Sequence, residues 1–200
     1  MSRLSGYAEF GRQRIRECLV AMGELQSQIS SIAEVAEVLV ATYKRGSKAL
    51  FFGNGGSAAD AQHLAAEFVG RFAADRRPLP ALALTVNPSS LTAVANDYGF
   101  EEVFARQIRA LASPGDVAVA LSTSGRSPNV LRGVEAAKEQ GIVTVGLTGE
   151  GGGALKERVD YCICVPSSVT PRIQECHILI GHVLCEIVER ELLGGEAGAR

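Results

Sequence analysis

No apolar run in the 200-residue chain approaches the roughly 20 residues that a membrane-spanning helix requires, so no transmembrane segment is expected. The first eighteen residues, MSRLSGYAEFGRQRIREC, carry charges throughout and have no apolar signal-peptide core. Lysine and arginine form no block, the formal net charge is only −2, and no aromatic cluster of the RNA-recognition type is present; nucleic acid is a poor partner for such a surface. The five cysteines (Cys18, Cys162, Cys164, Cys176 and Cys185) are odd in number and lack the spacing of a disulfide framework. Free thiols point to the reducing cytosol. Cys162 and Cys164 stand two apart on an apparent strand and read as packing residues, and Cys176 and Cys185 lack the CxxC spacing of a zinc–thiolate site.

What is present suits a single α/β domain. The hydrophobic fraction is 46%, and 22 glycines against 7 prolines fit many strand–helix turns. Short apolar runs at Ala49–Phe52, Ala81–Thr85, Val117–Leu121, Ile142–Leu147 and Tyr161–Val165 alternate with helical patterns. Continuous apolar strands of this kind are buried on both faces, as in a doubly wound parallel sheet. Three parts are expected: a helical arm over 1–46, an α/β core over 47–193, and a frayed GGEAGAR tail over 194–200. In the arm, Leu19, Met22, Leu25, Ile29, Ile32, Val35, Val38 and Leu39 recur near helical spacing. That stripe is expected to pack on another subunit.

Two loops leave the carboxyl ends of their strands, where ligands of open α/β sheets gather, and they are expected to lie side by side. The first, Gly53-Asn54-Gly55-Gly56-Ser57, lets a backbone approach a ligand without Cβ atoms in the way, with Ser57 as N-cap of a helix through about Phe72. It lacks both the dinucleotide spacing GxGxxG and the GK[ST] of a P-loop. The second, Ser122-Thr123-Ser124-Gly125-Arg126-Ser127, offers four hydroxyls around one glycine before a helix that starts with Pro128. Hydroxyl and amide donors at a helix N-terminus suit a phosphate dianion, and the absence of a lysine favours holding a sugar phosphate over transferring its phosphoryl group. On the helix after the first loop, His63 and Glu67 share one face, four residues apart. His182 adds a second imidazole from the last helix, and His177, one turn from Gln174, reads as structural.

GNGGSAADAQH, ALSTSGRSPNV and RIQECH together resemble the sugar isomerase (SIS) family over roughly Ala49–Leu193 and the helical arm. The resemblance implies a three-layer, flavodoxin-like fold with a five-stranded parallel sheet. It implies an aldose–ketose isomerase that converts sedoheptulose 7-phosphate to D-glycero-D-manno-heptose 7-phosphate, a heptose precursor for lipopolysaccharide or another surface glycan. It also implies one zinc per subunit on His63, Glu67, Gln174 and His182, proton transfer by Glu67 and His182, and a cytoplasmic homotetramer with sites completed across subunit boundaries. Substrate-contacting positions carried over are Asn54, Gly55, Gly56, Ser57, Glu67, Asn96, Asp97, Ser122, Thr123, Ser124, Ser127 and Gln174. Pro171 departs from the pattern, because some members carry an acidic residue before R-I-Q. One alternative is a non-catalytic SIS protein that recruits a partner such as a replication-initiation factor; the complete His63, Glu67 and His182 set favours the enzyme. Another is an enzyme for a phosphohexose or an N-acetylated sugar phosphate.

Overall fold

A computed structural model describes residues 3–194. Five parallel strands form one sheet: β1 (Ala49–Gly53), β2 (Ala81–Ala83), β3 (Val117–Ser122), β4 (Val143–Thr148) and β5 (Tyr161–Cys164), in the order β2-β1-β3-β4-β5. Helices α2 (Ile29–Lys44), α3 (Gly56–Val69) and α8 (Thr170–Leu192) cover one face, and α5 (Val103–Leu111) and α6 (Pro128–Glu139) cover the other. The alternation of strand side chains makes these layers. Phe51, Val119 and Leu121 enter the α2/α3/α8 core, where Phe51 stacks on Phe68 and Tyr43 tilts against the same ring. Leu50, Phe52, Ala118 and Ala120 enter the α5/α6 core, and the small alanines of β3 leave room for Phe52 to meet Phe104 at 5.3 Å. Burial on both faces explains why the strands read as continuous apolar runs rather than as alternating ones.

The strand order reverses between β1 and β3, the switch point at which such folds bind ligands. In register, Gly53 of β1 pairs with Leu121 of β3, so the two loops leave the sheet as neighbours, as the sequence led us to expect. Only glycine fits at position 53: a Cβ there would stand 2.6 Å from the Leu121 carbonyl oxygen.

The N-terminal region divides in two. Residues Leu25–Gln28 form a short 3-10 turn between α1 (Arg3–Glu24) and α2. Beyond that turn, Ile32, Val35, Ala36, Leu39 and Tyr43 are buried in the chain's own core, so the second half of the apolar stripe finds its partner within the subunit. On α1, by contrast, Leu4, Tyr7, Phe10, Ile15, Leu19 and Val20 are all at least 60% exposed. The helix is tied to the body through Arg172 of α8, which donates to the Arg14 carbonyl oxygen at 2.9 Å and approaches Glu17. Among the described residues no helix is long and apolar enough to cross a membrane, and all five cysteines are free. Cys162 and Cys164 are half-buried, with sulfur atoms 3.8 Å apart on the outer strand β5. Of the expected tail, residues 195–200 lie outside the described residues.

His177 occupies the interior of α8, fully buried, with Nε2 3.2 Å from the Thr148 carbonyl oxygen and no partner for Nδ1. A carbonyl can only accept, so Nε2 carries the proton. Burial pushes the imidazole pKa down to about 4. The unfolded chain, whose histidine titrates near 6.5, therefore binds more protons between these two values, and stability falls as pH drops from about 6.5 to about 4. At about 1.36 kcal/mol per pH unit the loss amounts to about 3 kcal/mol. Denaturant melts of wild type and His177→Asn at pH 7.5 and 4.5 check this: the variant is expected to lose less stability over that interval, and parallel losses would refute the assignment.

Candidate active site

Helix α3 starts directly from the Asn54-Gly55-Gly56 turn, with Gly55 rather than Ser57 at its N-cap. Ser57 lies inside the first turn and is buried, because α3 begins two residues earlier than an N-cap at Ser57 would place it. The helix ends at Val69, short of Phe72, with Gly70 as its C-cap. Asn54 is held by a reciprocal pair of 2.8 Å hydrogen bonds with Asn129, a buried residue on the first turn of α6. This amide pair pins the first loop to the helix that follows the second. Asn129 carried no signal of its own in the sequence, since SPNV reads as an ordinary helix start.

The serine loop is shaped by backbone contacts. Gly125 donates to the Ser122 carbonyl oxygen, Gly149 to that of Thr123, and Leu155 to that of Gly125, at 2.9–3.1 Å. Gly125 has φ +61°, and a Cβ there would collide with the Gly152 carbonyl oxygen. Position 125 therefore demands glycine on two independent grounds. Within the loop, Ser122 and Ser127 face each other with hydroxyl oxygens 3.2 Å apart, and Ser124 Oγ accepts the Arg126 amide. Ser127 is the N-cap of α6 but makes no side-chain cap bond; its carbonyl accepts the Val130 and Leu131 amides, and its hydroxyl turns to Ser122 in the loop.

The candidate acid/base residues meet where α3 lies against α8. His63 Nε2 is 3.0 Å from His182 Nε2 and 3.2 Å from Glu67 Oε1. Donor atoms of all three fall within 4.8 Å of one another, the one such cluster of His, Cys, Asp and Glu among the described residues. The Phe72 ring stands 5.4 Å from that of His182. Gln174 stands two turns before His182 on α8, a rise of about 12 Å. Its amide packs against Gly56, so it borders the loop end of the α3–α8 seam while the trio occupies the other end. Asp60, one turn before His63 on α3, has one carboxylate oxygen buried without a partner. Burial pushes its pKa up, and the nearby His63 pulls it back. Sequence reading passed over this residue, although the i, i+3, i+7 spacing of Asp60, His63 and Glu67 carries the signal.

Asn96 and Asp97 fall in the last turn of α4 (Pro88–Tyr98), an eleven-residue helix, rather than in a loop. Both are exposed, and they bond to each other at 2.8 Å rather than to either loop.

Comparison with known proteins gives the family. The SIS domain family model matches residues 13–149, and the chain belongs to that family. A phosphoheptose isomerase of Rhodospirillum rubrum is 54% identical over 180 residues, covering 90% of this chain and 94% of the relative. One from Aquifex aeolicus is 55% identical over 173 residues, covering 86% and 90%. Among solved structures, the phosphoheptose isomerase of Neisseria gonorrhoeae superposes with a TM-score of 0.87 at 41% identity, covering 92% of this chain and 98% of that one. That of Francisella tularensis gives 0.87 at 36%, covering 95% and 100%. Within the SIS family the chain therefore sits with the phosphoheptose isomerases.

Proposed function

We propose that this chain isomerises sedoheptulose 7-phosphate to D-glycero-D-manno-heptose 7-phosphate, supplying a heptose precursor for surface glycan. The observation that carries the reading is the contact of His63, Glu67 and His182 across α3 and α8, with α3 rising from the loop that leaves the sheet beside the hydroxyl loop. Ketose-to-aldose conversion removes a proton from C1, passes through an enediol, and returns a proton to C2, while the hydroxyl hydrogens redistribute between O1 and O2. Glu67 and His182, presented from facing helices, are the groups that take and return the carbon-bound proton. Ser122, Thr123, Ser124 and Ser127 grip the phosphate, and the Asn54-Gly55-Gly56 turn and Gln174 line the sugar between phosphate and base. Asn96 and Asp97, exposed at the end of α4, are assigned to the sugar hydroxyls, and the assembly is a homotetramer with shared sites. The implied compartment is the cytosol.

Two imidazole nitrogens and a carboxylate oxygen are a fitting donor set for zinc. Their 3.0 and 3.2 Å separations come near the spacing of about 3.3 Å that bonds of about 2.05 Å give around a tetrahedral ion. The family pattern adds Gln174, whose amide packs against Gly56 at the loop end of the same seam, as a fourth ligand. A bound zinc would polarise the carbonyl and steady negative charge on the enediol oxygens.

Incubating the purified protein with sedoheptulose 7-phosphate should yield the aldose, with zinc at up to one equivalent per subunit, and a chelator should lower the rate. Full activity in rigorously metal-free protein would overturn the zinc assignment alone. No turnover on any ketose phosphate would overturn the isomerase reading in favour of a binding protein.

A further inference from the structure

Arg76 and Glu189 form an ion pair with Nε and Oε2 2.9 Å apart, and both side chains are at most 4% exposed. Isolating two charges from water is expensive, and well-packed apolar residues often serve stability equally well, so fold strength alone is a poor reason for such a pair. Its further bonds give a better one. The Arg76 guanidinium donates to the Glu67 carbonyl oxygen at 2.8 Å and to that of Phe68 at 2.9 Å, two of the carbonyls that the C-terminus of α3 leaves open. Glu189, seven residues after His182 on α8, accepts the amides of Phe72, Ala73 and Ala74 at 3.1, 2.9 and 2.6 Å. These bonds fix the segment that sets the Phe72 ring against His182.

One buried pair thus grips the backbone of Glu67 from one side and, through Phe72, the ring of His182 from the other. We infer that Arg76 and Glu189 are positioning residues, which set the spacing of α3 and α8 so that Glu67, His63 and His182 converge. The inference rests on the isomerase reading given above. The serine loop, held by contacts at the sheet edge and not by this pair, lies outside its influence.

The test uses the full-length protein with Arg76→Met, which removes the charge, and Arg76→Lys, which keeps it but cannot fork between Glu189 and two carbonyls. Turnover and KM on sedoheptulose 7-phosphate, Co²⁺ binding by titration, and binding of inorganic phosphate are measured well below each variant's melting temperature. In both variants that fold we expect turnover to fall at least tenfold with KM within threefold of wild type, Co²⁺ affinity to fall at least tenfold, and phosphate binding to hold. Should Arg76→Met fail to fold, Arg76→Lys decides. A lowered melting temperature with wild-type turnover and Co²⁺ affinity would reduce the pair to a structural clamp and overturn the inference. Failure of the isomerase reading is distinguishable, since wild type itself would then be inactive while the Co²⁺ comparison still stands.

Discussion

Glu67→Gln lowers turnover by at least about 10²-fold while leaving sugar-phosphate binding in place, and His182→Asn does the same; that is the expected result, at the lower end of what a general acid/base contributes. Glutamine keeps the size of Glu67 and one acceptor oxygen, but it cannot take a proton. Asparagine keeps a polar group at 182 but removes the nitrogen that lies 3.0 Å from His63. Binding should survive because the proposed phosphate grip is Ser122–Ser127, a loop whose shape comes largely from its own backbone bonds and from Gly149 and Leu155. The two losses should not multiply in the double mutant, since one proton-transfer unit can be broken only once. His177→Asn serves as the control on the same helix and should retain most activity, because His177 faces Thr148 in the core rather than α3. Turnover and substrate binding across the four variants settle the matter. Near-wild-type turnover in either single mutant would overturn the mechanism.

Removing residues 1–24, which include all of α1, should dismantle the proposed tetramer. Leu4, Ile15 and Leu19 recur along one side of that helix, and together with Tyr7, Phe10 and Val20 they leave more apolar surface open than a lone subunit ordinarily tolerates. A bundle of such helices from several copies would cover it. The cut belongs at the 3-10 turn Leu25–Gln28 and not at residue 46, because Ile32, Val35, Leu39 and Tyr43 are core residues and their loss would unfold the sheet. Light scattering should show a tetramer for the full chain and a smaller species for the truncated one, with turnover falling as the shared sites come apart. An unchanged oligomer mass would refute the bundle.

The sheet and its two loops were legible in the sequence because their causes are local. Continuous apolar runs make buried strands, glycine turns end them, and the fold places successive carboxyl ends at one edge. His63 and Glu67 were legible for the same reason, four residues apart on one helix. Contacts between distant residues were not. Asn54 and Asn129 are 75 residues apart, and each alone resembles a turn or cap residue. Arg76 and Glu189 are 113 apart, and each alone resembles a solvated charge. The arm carries no turn cluster rich in Gly or Pro and so reads as one or two helices with a single stripe, whereas the fold splits it at a 3-10 turn that contains neither residue and gives the two halves different partners. Asn96-Asp97-Tyr98-Gly99 has the composition of a loop, yet α4 runs to Tyr98 and only Gly99, at φ +94°, ends it.

Main-chain bonds and a glycine at φ +61° set the course of the serine loop, and its hydroxyls add only the Ser122–Ser127 contact and the bond from the Arg126 amide to Ser124. A mutation that exchanges one hydroxyl for another keeps every main-chain bond of the loop, so it changes what the loop holds far more than where the loop is. Under selection this separates two variables that are usually tied together: the chain can drift among phosphorylated sugars by single side-chain steps, while each step leaves a folded protein for the next to act on.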